Sequence, residues 1–324
     1  MGRAGRLTGP DRGGRGRHDE VRRRGPPERL RRDYASSGMT TRVLLTNDDG
    51  IRAEGLLALR RALLTLDGID LRVVAPDGNR SAMARSITVR RPLRVRDETF
   101  DDGGTGVATD GTPTDCVRLA AHGVIEGWTP DLVVSGINHG ANMGEDVTYS
   151  GTVAAALEAV VHDIPGVAVS MSSPHGDWSL RREHTWDFGV AAEIAARIVA
   201  EVERVKGRDG ELPLPTRTIL NVNVPQSHSG CSPLAVEVTR LGQRHYRDEL
   251  QPVETHPDGS RSYWLYGSEH GFAPTPGTDL AAVAAGHVSI TPLHLDLTRE
   301  SAIAPLAGHG FEGLLDRIGD LLED

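Results

Sequence analysis

Carboxylate, amide and hydroxyl side chains collect in three short glycine-containing segments of this sequence. The first, "TNDDG" at residues 46–50, places Asp48 and Asp49 side by side; the others are "APDGNRS" at 75–81 and "SGINHG" at 135–140. Each follows directly on an apolar run. Such oxygen donors suit a hard divalent ion, Mg²⁺, Mn²⁺ or Ca²⁺, rather than zinc. A bound cation would also offset the repulsion between the adjacent aspartates.

Each segment has a simpler interpretation when it is taken alone. An isolated Asp-Asp-Gly is usually a turn, and "NHG" at 138–140 is typical of a loop with a left-handed residue. In an open α/β sheet, however, ligands bind beyond the carboxyl ends of the strands. Three polar segments that each follow a core strand therefore predict one shared site. His139 would lie beside that site and could donate a hydrogen bond to a phosphate.

A second candidate site is the entry to a predicted helix in "YSGTVAAALEAVV" at 149–161. The first turn of a helix carries free N–H groups and the positive end of the dipole, so Ser150, Gly151 and Thr152 could hold a phosphate. The alternative is a plain Ser or Thr N-cap. Tyr149 could pack over a ligand or be a core residue. A metal beside an anion-binding helix indicates metal-assisted phosphate chemistry, in which Asp48 orients a water or accepts its proton.

Apolar runs alternate with helical patterns along most of the chain. Leu56, Leu59, Leu63 and Leu66 recur at spacings of three and four, which indicates one face of a helix. The alternation predicts an α/β fold, a mostly parallel sheet with helices on both faces. Predicted core strands cover about 43–45, 71–76, 131–136, 166–170, 219–225 and 287–298, with exposed β structure over 86–95. Predicted helices cover about 112–122, capped by Thr114 or Asp115, then 150–162, 186–205 and 311–322.

The composition predicts three parts. Residues 1–38 are a disordered Arg-rich arm or lie upstream of the true start; we favour the second, because "MTTRVLLTNDDG" from Met39 opens directly into a core strand. Residues 39–226 form the α/β core. Residues 227–324 form a C-terminal part with a β-rich extension, a candidate for oligomer contacts, and a return to the core. No internal repeat is visible.

Charge and cysteine content exclude several protein classes. Residues 1–33 hold 11 arginines and five acids, so the remainder carries 25 basic and 40 acidic side chains, a net charge of about −15. That charge opposes extensive nucleic-acid contacts, and we expect no stable nucleic-acid partner. Two distant cysteines, Cys116 and Cys231, indicate a reducing compartment. With no apolar run long enough to span a bilayer, we expect a cytoplasmic protein without a membrane partner.

The motifs together resemble one known family. The strings "VLLTNDDGI", "APDGNRS", "GTPTDCVRLA", "PDLVVSGINHGANMGEDVTYSGTVAAALEA", "LNVNVP" and "SITPLHLDLT" are similar, in family order, to the SurE family of survival-protein phosphatases, over about residues 42–298. The resemblance implies a Rossmann-like domain with a smaller C-terminal part that helps build dimers or tetramers. It implies a metal-dependent phosphatase that hydrolyses nucleoside 5′- and 3′-monophosphates.

The resemblance also implies residue roles. One divalent ion per subunit, Mg²⁺ or Mn²⁺ with Ca²⁺ as a possible occupant, would be held by Asp48, Asp49, Ser81 and Asn138. Phosphate would be bound by Ser150, Gly151 and Thr152, and catalysis would rest on Asp48, Asn138 and Ser150. Two departures, Glu54 where proline is frequent and "SAMARSITV" in place of a more glycine-rich loop, affect the expected substrate preference rather than the metal site.

Three rival functions fit the residues less well. A haloacid-dehalogenase-type phosphatase needs a second Asp two residues after its nucleophile, but Asp48 and Asp49 are neighbours, whose side chains leave an extended backbone on opposite faces. A dinucleotide oxidoreductase needs Gly-x-Gly-x-x-Gly after the first strand, where this chain has "NDDG". A nucleotide- or RNA-binding module without hydrolysis remains the alternative, with the N-terminal arginines as its electrostatic part.

Overall fold

The computed structural model describes residues 40–173, 185–209, 217–226, 233–246, 249–265 and 271–309, with the single residues 215 and 313. Its strands are β1 Thr41–Thr46, β2 Ile69–Pro76, β3 Val95–Thr99, β4 Thr105–Thr109, β5 Leu132–His139, β6 Gly166–Met171, β7 Thr218–Val224, β8 Val236–Val238, β9 Arg244–His245, β10 Gln251–Thr255, β11 Arg261–Trp264, β12 Gly271–Phe272 and β13 Val288–His294. Its α-helices are α1 Glu54–Leu63, α2 Pro113–Ala121, α3 Gly151–Ala159, α4 Gly189–Asp209, α5 Asp279–Ala284 and α6 Glu300–Gly308.

One large sheet organises the molecule, in the strand order β3-β4-β2-β1-β5-β6-β7-β13-β8. The six strands from β4 to β7 in that order are mutually parallel, β3 pairs antiparallel with β4, and β13 pairs antiparallel with β7. Two small antiparallel pairs, β10 with β11 and β9 with β12, lie in the C-terminal part. The predicted α/β class and its β-rich C-terminal extension are therefore confirmed.

Helices cover both faces of this sheet because the central strands are apolar on both sides. Val43 and Leu45 of β1 pack into one fully buried cluster with α1 and α4, whereas Leu44 points to the opposite face and packs with α2 and α3. Because side chains alternate between the two faces of the sheet, one strand contributes residues to both hydrophobic cores. Since the strands run parallel, the loops after β1, β2 and β5 all leave from the same edge.

The prediction of exposed β structure over residues 86–95 is wrong for all but the last residue. Residues 86–94 form no strand. Carboxylates tie this segment down instead: Thr88 donates from its N–H and its hydroxyl to Asp115, and Arg91 pairs with Asp110 at 2.7 Å. The missed element is the β3–β4 hairpin, which adds an antiparallel edge to the sheet.

Helix boundaries also differ from the predicted ones. Thr112, rather than Thr114 or Asp115, caps α2: its hydroxyl accepts from Asp115 N–H, and Asp115 accepts from Thr112 N–H. Pro113 at the first helical position favours this capping box, because proline needs no hydrogen-bond acceptor there. Leu66 lies beyond the end of α1, although it still packs against the core.

The second half of the chain differs from the predicted elements in several places. The helix predicted from 186 begins at Gly189, and the strand predicted over 287–298 is β13, which ends at His294. The predicted helix at 311–322 lies outside the described residues, except for residue 313, while α5 and α6 were not predicted. In the part of the chain that the structure describes, no helix is long and apolar enough to cross a lipid bilayer.

Candidate active site

The turn after β1 is shaped by a buried asparagine. The side chain of Asn47 accepts from Gly50 N–H at 3.1 Å and donates to the Gly50 carbonyl at 2.9 Å. Gly50 has φ of +109°, and a Cβ there would lie 3.1 Å from the backbone of Gly78. Only glycine fits that conformation and that approach without strain. The turn therefore places Asp48 and Asp49 at the carboxyl end of the central strand.

Asp48 lies against the entry of helix α3. Its side chain is buried, and the Thr152 hydroxyl donates to Asp48 Oδ1 at 2.6 Å. A Cβ added to Gly151 would lie 2.8 Å from both the Cβ and Oδ2 of Asp48, so glycine is what lets the carboxylate approach the helix. The predicted metal segment and the predicted phosphate segment, 104 residues apart for this pair, are thus in direct contact.

Asp49 is held from the two other polar segments. Nδ1 of His139 lies 2.8 Å from Asp49 Oδ2, and the His139 N–H donates to the same oxygen at 3.3 Å. The Asn79 amide donates to Asp49 Oδ1 at 3.4 Å. The segments after β1, β2 and β5 therefore meet at one edge of the sheet, as the sequence predicts. His139 contacts Asp49 in this arrangement, an interaction that sequence reasoning missed.

The electrostatics of the aspartate pair are unfavourable without a counter-charge. Burial raises the pKa of Asp48 to about 6, with a further contribution from the charge of Asp49, and the hydrogen bond from Thr152 opposes the shift. Two neighbouring carboxylates that are largely shielded from water repel each other when both are charged. A cation bound beside them would favour the ionised form of Asp48 and offset the repulsion between the two side chains.

Ser81 and Asn138, the other predicted ligands, are next in sequence to residues that contact the pair, Arg80 and His139. Arg80, the residue before Ser81, donates its N–H to the Asp48 carbonyl at 2.6 Å, and Ser81 N–H donates to the Asn79 side chain. The Asn138 amide nitrogen donates to the Gly140 carbonyl at 2.7 Å. Its amide oxygen is the side-chain atom that could bind a cation. Both residues belong to the converging segments.

The donor chemistry fits a hard divalent ion. Within the described residues, no three His, Cys, Asp or Glu side chains group as they would around a metal. The predicted set does not conflict with this, because it has two carboxylates and completes its shell with hydroxyl and amide oxygens. Such a set, with water in the remaining positions, suits Mg²⁺ or Mn²⁺.

The entry of α3 combines a cap with a possible anion site. Ser150 is the N-cap, and its Oγ accepts from Val153 N–H at 3.1 Å, so its hydroxyl proton can still be donated elsewhere. The hydroxyl of Thr152 is directed to Asp48 rather than outward. Tyr149 is 61% exposed, which rules out the core interpretation of that residue.

Two aromatic residues support the site from a distance in sequence. The His139 ring lies edge-on to Phe188, with 4.7 Å between ring centroids, and edge-on to Trp186 at 5.4 Å. Trp186 and Phe188 stack on each other just before α4. This packing restricts the imidazole to a narrow range of orientations around Asp49. Nothing in the local sequence of residues 186–188 signals such a role.

Comparisons with known proteins identify the family of this chain. The model of a family described as "Survival protein SurE" matches residues 43–248. The chain belongs to the SurE family.

Several SurE proteins match over nearly their whole length. The chain is 46% identical to the 5′-nucleotidase SurE of Rubrobacter xylanophilus over 82% of this chain and 96% of that protein. It is 48% identical to the 5′-nucleotidase SurE of Herpetosiphon aurantiacus, over 79% and 93% respectively. Among solved structures, the SurE protein from Aquifex aeolicus matches with a TM-score of 0.66 and 39% identity, over 82% of this chain and 97% of that one. The mostly parallel sheet is therefore that of a SurE protein.

Proposed function

We propose that this chain is a divalent-metal-dependent 5′-nucleotidase, which hydrolyses nucleoside 5′-monophosphates to nucleoside and phosphate and also accepts 3′-monophosphates. The 5′-nucleotidase names of its SurE relatives support the reaction class. The observation that carries the proposal is the contact between the buried Asp48 carboxylate and the Gly151–Thr152 entry of α3. In this contact, a buried carboxylate that a cation would stabilise lies against a helix N-terminus that can bind an anion.

Each half of this contact contributes a separate piece of the chemistry. Asp49, Ser81 and Asn138 would hold the ion together with Asp48. The ion, when bound, would lower the pKa of a water molecule and polarise a phosphoryl oxygen. The first turn of α3 would bind the phosphate with N–H groups, and its dipole would favour the growing negative charge.

Asp48 and Ser150, which both lie at the entry of α3, would complete the reaction. Asp48, oriented by the hydrogen bond from Thr152, would align the attacking water and accept its proton at the carboxylate. Ser150, whose Oγ already accepts the Val153 N–H, would donate a hydrogen bond from its hydroxyl to a phosphate oxygen. The proton that Asp48 takes from the water would pass to the leaving nucleoside oxygen as the P–O bond breaks. No covalent phospho-enzyme is required.

Chelation should abolish activity reversibly. In EDTA, release of phosphate from 5′-AMP and of p-nitrophenol from p-nitrophenyl phosphate should fall to background, and added Mg²⁺ or Mn²⁺ should restore it, because the paired carboxylates need the ion to bind and activate water. Colorimetric assays of the full chain across Mg²⁺, Mn²⁺ and Ca²⁺ would measure this. Full activity in chelator would contradict the metal mechanism. Binding of 5′-AMP without phosphate release under every metal would favour the nucleotide-binding alternative.

Replacing His139 by alanine should weaken metal binding more than it slows the loaded enzyme. The change removes the 2.8 Å contact that fixes Asp49, so we expect the metal Kd to rise about tenfold, a cost on the order of one hydrogen bond to a charged group. Isothermal titration with Mn²⁺ would measure it. His256→Ala, on the distant β10–β11 hairpin, is the control. An unchanged Kd in the His139 variant would remove this histidine from the site.

We also propose that the chain forms a homodimer or tetramer and works in the cytoplasm. Exposed apolar side chains on and beside the β10–β11 hairpin, including Leu250 at 61% and Val253 at 56% exposed, support an assembly through the C-terminal extension. The cytoplasmic assignment rests on the low cysteine content. Light scattering coupled to size-exclusion chromatography would give the subunit number.

A further inference from the structure

The segment that carries Ser81 adopts a conformation that its sequence does not favour. We call residues 81–88 the strap, since it crosses from the end of β2 over the entry of α3. Ala82 and Ala84 within it have φ of 57° and 50°, in the left-handed region. An alanine in that region is less stable than one in ordinary backbone, because its Cβ crowds the following carbonyl oxygen. External contacts must therefore hold the strap in place.

Hydrogen bonds of Ser86 and Thr88 hold one end of the strap against α2, and an ion pair holds its middle against helix α3. Arg85 of the strap lies 2.9 Å from Glu158, whose side chain is 3% exposed. The same carboxylate also lies 3.1 Å from Arg118 of α2 and 3.5 Å from His162. Backbone contacts assist: Ala84 N–H donates to the Tyr149 carbonyl at 3.1 Å. Glu158 thus joins the strap, α2 and α3 at one buried point.

This arrangement links both halves of the candidate active site to one helix. α3 begins at the predicted phosphate site, and Glu158 lies in its last turn, about 12 Å further along the axis. The strap returns from Glu158 to Ser81 in four residues. The position of the predicted metal-binding hydroxyl is therefore set against the same rigid element that carries the phosphate-binding turn.

We propose that Arg85 is a positioning residue: its ion pair with Glu158 holds the strap on α3 and so fixes the Ser81 hydroxyl beside Asp48. The inference rests on the proposed metal site, and it deepens it by assigning the placement of Ser81 to a buried carboxylate outside that site. Arg85 does not touch the ion or the substrate in this role.

The two arginines on Glu158 offer a matched pair of variants. Arg85→Gln and Arg118→Gln each remove one cation from the same carboxylate and leave it paired with the other arginine and near His162. Neither variant strands a buried charge, so both should fold with similar melting temperatures. Only Arg85→Gln removes the side-chain ion pair between the strap and α3, while the hydrogen bonds of Ser86 and Thr88 to α2 stay in place. Arg85→Lys, which keeps the charge, should restore most of the wild-type behaviour.

Amide hydrogen exchange and Mn²⁺ titration read the two steps separately. In metal-free Arg85→Gln, we expect exchange of amides at 82–86 to accelerate about tenfold, as expected when a local contact is lost. We expect its Mn²⁺ Kd to rise about five- to tenfold, whereas Arg118→Gln should match the wild type in both measurements. Unchanged strap exchange in Arg85→Gln, or equal effects of the two variants, would overturn the inference. A wild-type protein that binds no Mn²⁺ would refute the proposed metal site and this role with it, whereas equal Mn²⁺ binding by wild type and Arg85→Gln would refute the positioning role alone.

Discussion

Asp48→Asn should lower kcat for 5′-AMP by about 10²–10⁴-fold while the protein stays folded. The amide has the size of the carboxylate and can still accept the Thr152 hydrogen bond, but it cannot take a proton from water and binds a cation weakly. Steady-state kinetics at saturating Mn²⁺, with circular dichroism of the same sample, would measure both halves. The control is Asp101→Asn, an exposed residue after β3.

Although Asp48→Asn should lower activity, it should raise the stability of the metal-free protein. The folded-state pKa of Asp48 is raised from 3.8 to about 6, so its contribution to stability is present below pH 3.8 and is lost as the pH rises through about 6. Asp48→Asn escapes that loss. In EDTA, the Asn variant should be more stable than the wild type above pH 6, with a higher melting temperature and a free energy of unfolding larger by something on the order of 3 kcal/mol. The difference should shrink toward pH 4.

Wild-type turnover in Asp48→Asn would show that the Asp-Asp-Gly segment is an ordinary turn without a catalytic role. A variant that loses both activity and stability would show that Asp48 is needed for folding rather than for chemistry. The combination that supports catalysis is low kcat with equal or higher metal-free stability. A functional group that costs stability is common at active sites, where sequence is selected for reaction rather than for folding.

Gly151→Ala should lower kcat/KM by about 10²–10³-fold, similar to the loss of a well-placed catalytic donor. The added Cβ would lie 2.8 Å from Asp48 Oδ2, so the carboxylate must move away from the Thr152 hydroxyl and out of alignment with the helix entry. The loss of activity should not come from unfolding, because alanine stabilises a helix relative to glycine by about 1 kcal/mol. Kinetics with 5′-AMP and a melting curve would separate the two effects.

Gly308→Ala is the matched control for that experiment. Gly308 ends α6, and a Cβ there meets no atom within 4 Å among the described residues. It should leave kcat/KM at the wild-type level. Wild-type kinetics for Gly151→Ala would show that Asp48 tolerates displacement, and the contact between the two segments would then lose its proposed importance.

The sequence by itself determined the fold class and the set of strand ends that meet. Buried strands announce themselves by short apolar runs, and parallel strands bring their carboxyl ends to one edge, so "TNDDG", "APDGNRS" and "SGINHG" could be assigned to one place without coordinates. The helix entry at Ser150 could also be predicted, because a helix cap depends on residues that are neighbours in the sequence. Elements fixed by distant side chains were not: residues 86–94 look like exposed strand, but Asp110 and Asp115 hold them in an irregular path.

Only the tertiary structure decided which polar groups touch. Thr152 meets Asp48 across 104 residues, His139 meets Asp49 across 90, and Arg85 meets Glu158 across 73. Each contact depends on the spacing of packed helices and strands, not on any local pattern, because a side-chain hydrogen bond forms only within a few tenths of an ångström of its ideal length. Composition could name the donors and acceptors of this site, but the packing of α3 against the sheet assigned them to one another.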